Sequence, residues 1–249
     1  MFHVSCFMNI AGFQKLTLID YPGKLATTVF TVGCSFRCPF CHNPELVLSK
    51  SLALGYPRAK LLGEEFFEFL KKRKGKLEGV CITGGEPTIQ PDIIEFIKKL
   101  RKLGYAVKLD SNGTRPDVLK KVIDENLVDF IAMDIKNSRE RYLETAGISI
   151  VETKHASSLL ERVKLSVDLI MNSGVDYEFR TTVVPHIHRE EDFLEIAEWI
   201  SGARAYYLQE YRDMRILDES LRKKKKNKID LEKIVLQIKD KFGKVGIRR

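Results

Sequence analysis

The chain lacks any hydrophobic run that approaches the roughly 18 residues a membrane-spanning helix needs. Its first residues, MFHVSCFMNIAGFQK, lack the basic start and apolar stretch of a secretory signal, so a cytoplasmic protein is expected. Proline is scarce at 8 residues and glycine is ordinary at 16, which excludes a collagen-like or low-complexity chain. Cysteine is also scarce, with 5 in 249 residues, too few for a disulfide framework. Only four glutamines accompany abundant Lys and Glu, a pattern that fits a heat-adapted source. There is no internal repeat and no long linker. A single domain is expected over 1–249, with a core at about 12–215.

What is present begins with charge. The net charge is +8, which suggests a nucleic-acid partner. The run Arg222–Lys228 (RKKKKNK) carries six of those positive charges, and the rest of the chain is nearly neutral. The charge is therefore a local patch. It reads either as a solvated stretch leading into a last helix or as a docking or nucleic-acid surface. Nucleic acid is not expected as the main partner, and neither is a membrane.

Apolar, β-rich runs alternate with amphipathic helical runs. Strands are expected at Leu25–Val32, Gly79–Thr83, Tyr105–Asp110, Phe130–Lys136, Tyr177–Val184 and Ala205–Tyr211. Helices are expected at Leu61–Lys74, Asp92–Leu103, Pro116–Glu125, Ala156–Asn172 and Glu190–Ser201. A last helix is expected at Asp230–Phe242, with Asp230 as its N-cap. This β–α alternation implies an α/β fold with parallel strands, in an open sheet or a barrel. In either form, functional groups gather at the carboxyl ends of the strands. Glycines and polar residues do collect there: Gly33-Cys34, Gly84-Gly85-Glu86-Pro87, Asp110-Ser111-Asn112-Gly113, Asp134-Ile135-Lys136, Pro185-His186-Ile187-His188 and Gln209-Glu210-Tyr211-Arg212.

Three of the five cysteines, Cys34, Cys38 and Cys41, fall within eight residues at C-x3-C-x2-C spacing. Thiolates so spaced can face one soft metal centre. Four readings compete. Three thiolates can hold a 4Fe-4S cluster with one iron left open. The three with His42 can hold zinc, although adjacent Cys41 and His42 strain a tetrahedral site. Cys38–His42 matches a c-type haem attachment, which usually needs export. Cys38-Pro39-Phe40-Cys41 matches a redox dithiol, which leaves Cys34 unexplained. Cys81 sits in a buried strand and Cys6 near the start, and neither is expected to bind iron.

Other motifs have bland readings beside sharp ones. Gly84-Gly85-Glu86-Pro87 is either a strand–turn–helix corner or a place where backbone meets a ligand. Asp134 and Lys136 share one strand face, which suits a salt-bridged strand end or a charged ligand. Asp110-Ser111-Asn112-Gly113 contains a strong turn signal, and Asp110 can also bind a ligand or cation. Tyr21-Pro22-Gly23-Lys24 is a good β-turn, which accounts for Pro22 and Gly23. His186 and His188 read as loop residues, and Arg180 is a candidate for facing inward.

The cysteine loop after the first strand, together with Gly-Gly-Glu-Pro after the second, resembles the radical S-adenosylmethionine (SAM) enzymes. Asp134-x-Lys136, Cys41-His42-Asn43-Pro44 and the opening Thr17-x-x-Asp20-x-Pro22-Gly23 narrow the likeness to activases of glycyl-radical enzymes, in particular those of anaerobic ribonucleotide reductase. The resemblance implies a partial (β/α)6 TIM-like barrel. It implies one 4Fe-4S cluster on Cys34, Cys38 and Cys41, with SAM at the open iron. It implies SAM contacts from Phe40, His42, Gly84, Gly85, Glu86, Asp110, Asn112, Asp134, Lys136, Gln209 and Arg212, and a place near the substrate for Asp20, Pro22 and Gly23. Arg212 stands where some activases carry His, so the ribose contact is open between Gln209 and Arg212. The implied reaction is reductive cleavage of SAM, followed by formation of a glycyl radical on a partner enzyme, with flavodoxin or ferredoxin as the electron donor. A radical SAM enzyme acting on a small molecule or RNA, and a non-catalytic zinc or redox protein, are the competing classes.

Overall fold

Strands and helices alternate along the chain because apolar β-branched runs and amphipathic runs alternate in the sequence. The computed structural model describes residues 8–47, 59–148, 156–212 and 214–249. Cys6 lies outside them. The chain forms two compact units. The first holds residues 1–35, 45–111 and 117–131, and the second holds 36–44, 112–116 and 132–249.

In the first unit the strands are β1 (Ile10–Thr17), β2 (Ala26–Thr31), β3 (Gly79–Gly84) and β4 (Ala106–Ser111). β1 runs antiparallel to β2, whereas β2, β3 and β4 are parallel, with Ala26 opposite Gly79 and Gly79 opposite Ala106. The helices are α1 (Pro44–Val47), α2 (Ala59–Lys72), α3 (Ile93–Lys102) and α4 (Pro116–Asp124), the last beginning at the unit boundary. Val80, Ile82, Val107 and Leu109 are fully buried in the strands, as continuous apolar parallel strands should be. In α3, Ile93, Phe96, Ile97 and Leu100 form the buried face. Each such side chain contributes roughly 1.5–3 kcal/mol on burial. The Phe96 ring stacks on Phe66 of α2 at 6.0 Å.

The strand β5 (Phe130–Asp134) begins in the first unit and ends in the second. The second unit then holds α5 (Tyr142–Thr145), α6 (Ala156–Met171), β6 (Asp176–Val183), α7 (Glu190–Trp199), β7 (Tyr206–Glu210), α8 (Leu231–Ile238) and β8 (Val245–Arg248). β6, β7 and β8 are parallel neighbours in that order. Asp230 caps α8, its side chain accepting from the Lys233 N–H at 2.9 Å.

All six expected strands and all six expected helices are present, with ends shifted by a few residues. Among the described residues, the strands β1 and β8, the short helices α1 and α5, and three 3-10 turns are additions to that expectation.

The tight turn also forms. Lys24 N–H donates to the Tyr21 carbonyl at 3.2 Å, and Gly23 takes a φ of 72° that favours glycine at that position. Its location differs from a place beside the cysteines. It joins β1 to the amino end of β2, while Cys34 follows the carboxyl end of β2. Asp20 accepts from the Thr28 hydroxyl at 2.6 Å, and Pro22 and Gly23 are exposed. Geometry therefore gives Asp20, Pro22 and Gly23 a turn-forming role one strand length away from Cys34.

Candidate active site

The cysteine loop begins in the first unit with half-buried Cys34 and continues in the second with buried Cys38 and half-buried Cys41. In the first unit its start is pressed against the end of β3. The Gly85 N–H donates to the Thr31 carbonyl at 2.9 Å and the Glu86 N–H to the Gly33 carbonyl at 2.7 Å. A Cβ on Gly85 would lie 1.9 Å from the Gly33 oxygen, and one on Gly84 would lie 2.3 Å from the Thr31 nitrogen. Gly84 also has a φ of 117°, which an L side chain rarely adopts. The two glycines thus let two strand ends touch through their backbones. Glu86 is buried, and its carboxylate accepts from the Thr88 N–H at 3.1 Å and from the Ser111 hydroxyl at 2.9 Å. It ties the end of β3 to the end of β4.

The end of β4 carries a second buried group. Lys108 is 1% exposed, and its ammonium contacts the Asp110 carboxylate and lies 3.6 Å from the Cys81 sulfur. Lys108 was not anticipated from the sequence. The signal was available, because Lys108 and Asp110 stand two apart on an apolar strand, as Asp134 and Lys136 do.

In the second unit, Asn112 and Gly113 form the expected turn. The Asn112 side-chain oxygen accepts from the Thr114 N–H at 3.1 Å and from its hydroxyl at 2.8 Å. Asp134 ends β5, between the Lys136 ammonium at 3.0 Å and Arg180 Nε at 3.0 Å. Burial works to raise the Asp134 pKa, but Lys136 and Arg180 outweigh it and bring it down to about 2. Burial opposes the charge on Lys136, yet Asp134 and then Cys38 hold its pKa above the usual lysine range. Tyr142 is fully buried, donates to the Asp134 carbonyl at 3.3 Å and has its pKa raised by burial. Arg180, open in the sequence, thus joins the Asp134–Lys136 pair, and the charge of Cys38 adds to that of Asp134 in raising the Lys136 pKa.

The other expected contacts are spread around the loop and the end of β7. The Cys41 N–H donates to the Cys38 carbonyl at 3.0 Å, and Phe40 between them is buried. The His42 ring stacks on Tyr211 at 5.7 Å, and its Nε2 lies 3.0 Å from the Arg212 carbonyl. Gln209 is half-buried in β7, whereas Arg212 is exposed. His186 and His188 are structural: His186 Nδ1 lies 2.8 Å from the Lys224 carbonyl, and His188 is bonded at both ring nitrogens.

The sequence pattern that defines the radical SAM superfamily matches residues 28–200. The chain belongs to the radical SAM superfamily. It is 31% identical over 217 residues to a candidate glycyl-radical enzyme activating enzyme of Methanocaldococcus jannaschii, covering 86% of this chain and 84% of that one. It is 26% identical over 202 residues to a pyruvate formate-lyase-activating enzyme of Clostridium pasteurianum, covering 79% and 77% of the two chains. Among solved structures, Streptococcus suis SuiB bound to S-adenosylmethionine superposes with a TM-score of 0.60 at 15% identity. The match covers 86% of this chain and 48% of SuiB, so this chain spans about half the length of that structure. The likeness shows the fold, the α/β partial barrel of the radical SAM type.

A radical SAM enzyme uses a 4Fe-4S cluster and SAM. The residues present fit both. The loop supplies three sulfur donors of the kind such clusters take, and a cation stands beside Cys38. Among the described residues, no three His, Cys, Asp or Glu side chains converge on a site for a single ion. A cubane cluster does not need that convergence, because each thiolate binds a different iron. Among the described residues, no helix is long and apolar enough to cross a membrane.

Proposed function

We propose that the chain works as one radical SAM domain that generates a glycyl radical on a partner enzyme, and that this partner is an anaerobic ribonucleoside-triphosphate reductase. The observation that carries the reading is the Asp134–Lys136–Arg180 cluster beside Cys38. It offers a cation to a carboxylate and a carboxylate to an ammonium, the two charged ends of SAM's methionine portion. The names of two relatives, one of them covering 84% of its length, support glycyl-radical activation as the reaction class. The motifs Thr17-x-x-Asp20-x-Pro22-Gly23 and Cys41-His42-Asn43-Pro44 support the reductase as the partner.

In this reading Cys34, Cys38 and Cys41 hold three irons and leave the fourth to SAM. When bound, the cluster would supply one-electron reduction of SAM, the chemistry by which a glycyl radical would arise on the partner. Lys136 holds the SAM carboxylate and Asp134 the amino group, with Arg180 fixing Asp134 in place. Gly84 and Gly85 bring backbone to the ligand, while Glu86 holds that corner to β4. Phe40, His42, Asp110 and Asn112 complete the surroundings, and half-buried Gln209 takes the ribose in preference to exposed Arg212. Fully buried Tyr142, bonded to the Asp134 carbonyl, closes one side of the pair. The enzyme acts in the cytoplasm, where cysteines stay reduced.

The test uses anaerobically purified protein reconstituted with iron and sulfide, reduced with dithionite and given SAM. Binding of about four irons and release of 5′-deoxyadenosine are expected. Zinc in the loop and intact SAM would overturn the reading. Cys38→Ala should lose its iron and Cys81→Ala should keep it. Iron retained by Cys38→Ala breaks the ligand assignment. With a reductase supplied, an organic radical on its glycine, seen by electron paramagnetic resonance, identifies the partner.

A further inference from the structure

The proposed reaction leaves the basic run Arg222–Lys228 without a task. All seven of its residues are exposed, as a solvated linker would be. Its backbone, however, is anchored. The Asn227 N–H donates to the Pro185 carbonyl at 2.7 Å, and the Asn227 side-chain nitrogen donates to the His188 carbonyl at 2.7 Å. The Lys224 carbonyl is bonded to the His186 ring at 2.8 Å. Both anchors lie just past the carboxyl end of β6, on the side where the candidate active-site groups of this unit lie. The segment leading into the run is tied to the cysteine loop, because the Asp218 N–H donates to the Pro39 carbonyl at 2.9 Å, between Cys38 and Cys41. The segment 218–228 is therefore held at the cysteine loop through Asp218 and at the end of β6 through Lys224 and Asn227.

Its charges are unevenly balanced. Arg222 pairs with Glu219, Lys224 helps to lower the Asp218 pKa, and Lys228 lines one surface pocket with Glu190, which is itself paired with Lys233. Lys223, Lys225 and Lys226 make no ion pair among the described residues. Holding like charges side by side costs Coulomb energy that a mobile linker would relieve by spreading out. Anchoring the run's backbone at Lys224 and Asn227 accepts that cost and holds a fixed positive surface.

We propose that Lys223, Lys225 and Lys226 form the docking surface for an acidic electron-carrier protein that delivers one electron to the cluster bound by the cysteine loop. This rests on the radical SAM reading above. The carrier is oxidised by one electron and the cluster reduced by one, and no proton or group moves. The patch is a seven-residue run, small beside the 20–30 residues per side of a stable complex. Small, charge-steered contacts suit a carrier that must bind and leave at each turnover.

The experiment compares three reconstituted holoenzymes: the native chain, Lys223→Glu/Lys225→Glu/Lys226→Glu, and a control with the same charge change elsewhere, Lys72→Glu/Lys76→Glu/Lys102→Glu. The probe is an acidic flavodoxin. Its binding is measured by titration calorimetry at low salt, and the rate at which its reduced form bleaches the cluster by stopped flow against ionic strength. The native chain and control should show steep salt dependence. The patch variant should lose at least about tenfold in affinity and rate and most of its salt slope. SAM cleavage driven by dithionite should be the same in all three.

Equal losses in patch variant and control would overturn the proposal, because net charge alone would then explain them. Unchanged flavodoxin binding by the patch variant, with lost binding of a single-stranded RNA, would overturn it in favour of a nucleic-acid surface. If the native chain fails to cleave SAM with dithionite, the radical SAM chemistry fails first, independently of docking.

Discussion

At the scale of single residues, the glycine corner and the buried lysine make the sharpest claims. Gly85→Ala sets a methyl carbon 1.9 Å from a backbone oxygen, which no side-chain rotation relieves. The strand ends must move apart, at a cost of about 3 kcal/mol or more. Gly12→Ala is the contrast, since nothing lies within 4 Å of its Cβ, and it should change stability by less than about 1 kcal/mol. Urea unfolding of the two variants checks both, and iron uptake by any folded Gly85→Ala should fall because Gly33 leads directly into Cys34. Lys108→Met should cost about 3 kcal/mol, because it leaves the Asp110 carboxylate largely buried without its cation. Lys108→Met/Asp110→Asn should recover much of that loss in the same unfolding assay. A double variant no more stable than the single one would mean that Lys108 acts by packing. The candidate site was legible in the sequence where its residues carry rare chemistry, as in the cysteine triplet and the Asp134–Lys136 pair. Lys108 escaped notice because its strand reads as core and its partner is already explained by a turn.

At the scale of elements, legibility followed burial. The central parallel strands are apolar on both faces, so their sequences mark them. β1 and β8 are each described with one strand neighbour, and they carry mixed residues. β1 is half-buried or exposed along most of its length, and all four residues of β8 are half-buried. No continuous apolar run betrays such a strand. The helices α1 and α5 are four residues each, too short for a helical period to show. β8 is held by more than its ladder. Arg248 makes a two-pronged contact with Glu178 of β6, at 2.7 and 2.6 Å, and Glu178 is 2% exposed. Arg248→Ala strands that buried carboxylate. The cost should be about 2–3 kcal/mol, below that of a fully buried pair because the arginine is partly in water. Asp230→Ala should cost about 1 kcal/mol through the lost cap of α8. Thermal unfolding should therefore rank Arg248→Ala below Asp230→Ala. The reverse order would mean that β8 adds little to the stability of the second unit.

At the scale of the whole molecule, acid should lower the stability of the protein in two steps. His188 governs the first. The Val184 N–H donates to its Nδ1 at 3.0 Å, so that nitrogen carries no proton. The ring proton therefore sits on Nε2, which donates to the Lys136 carbonyl at 2.8 Å. Burial lowers the His188 pKa, with Asp192 pulling up and Arg141 pulling down, and the ring packs on Phe193 at 5.4 Å. A histidine whose folded pKa lies below its unfolded value, near 6.5, binds more protons when unfolded. Its contribution is complete above about pH 6.5 and is lost as pH falls from there to its folded pKa. Asp134 governs the second stage. Its folded pKa of about 2 lies below the ordinary aspartate value. Its contribution is present above about pH 4 and drains as pH falls toward 2. Urea midpoints of the cluster-free protein should be flat from pH 8 to 7, decline as pH falls below about 6.5, and decline further below about 4. His188→Gln should lower the whole curve, since glutamine cannot reproduce both ring bonds, but remove the first decline. Asp134→Asn should shrink the second, which Glu68, Glu125, Glu190 and Asp218 share because their pKa values are also lowered, and leave the first. A first decline that survives in His188→Gln would assign it to another group and leave His188 as a packing residue alone.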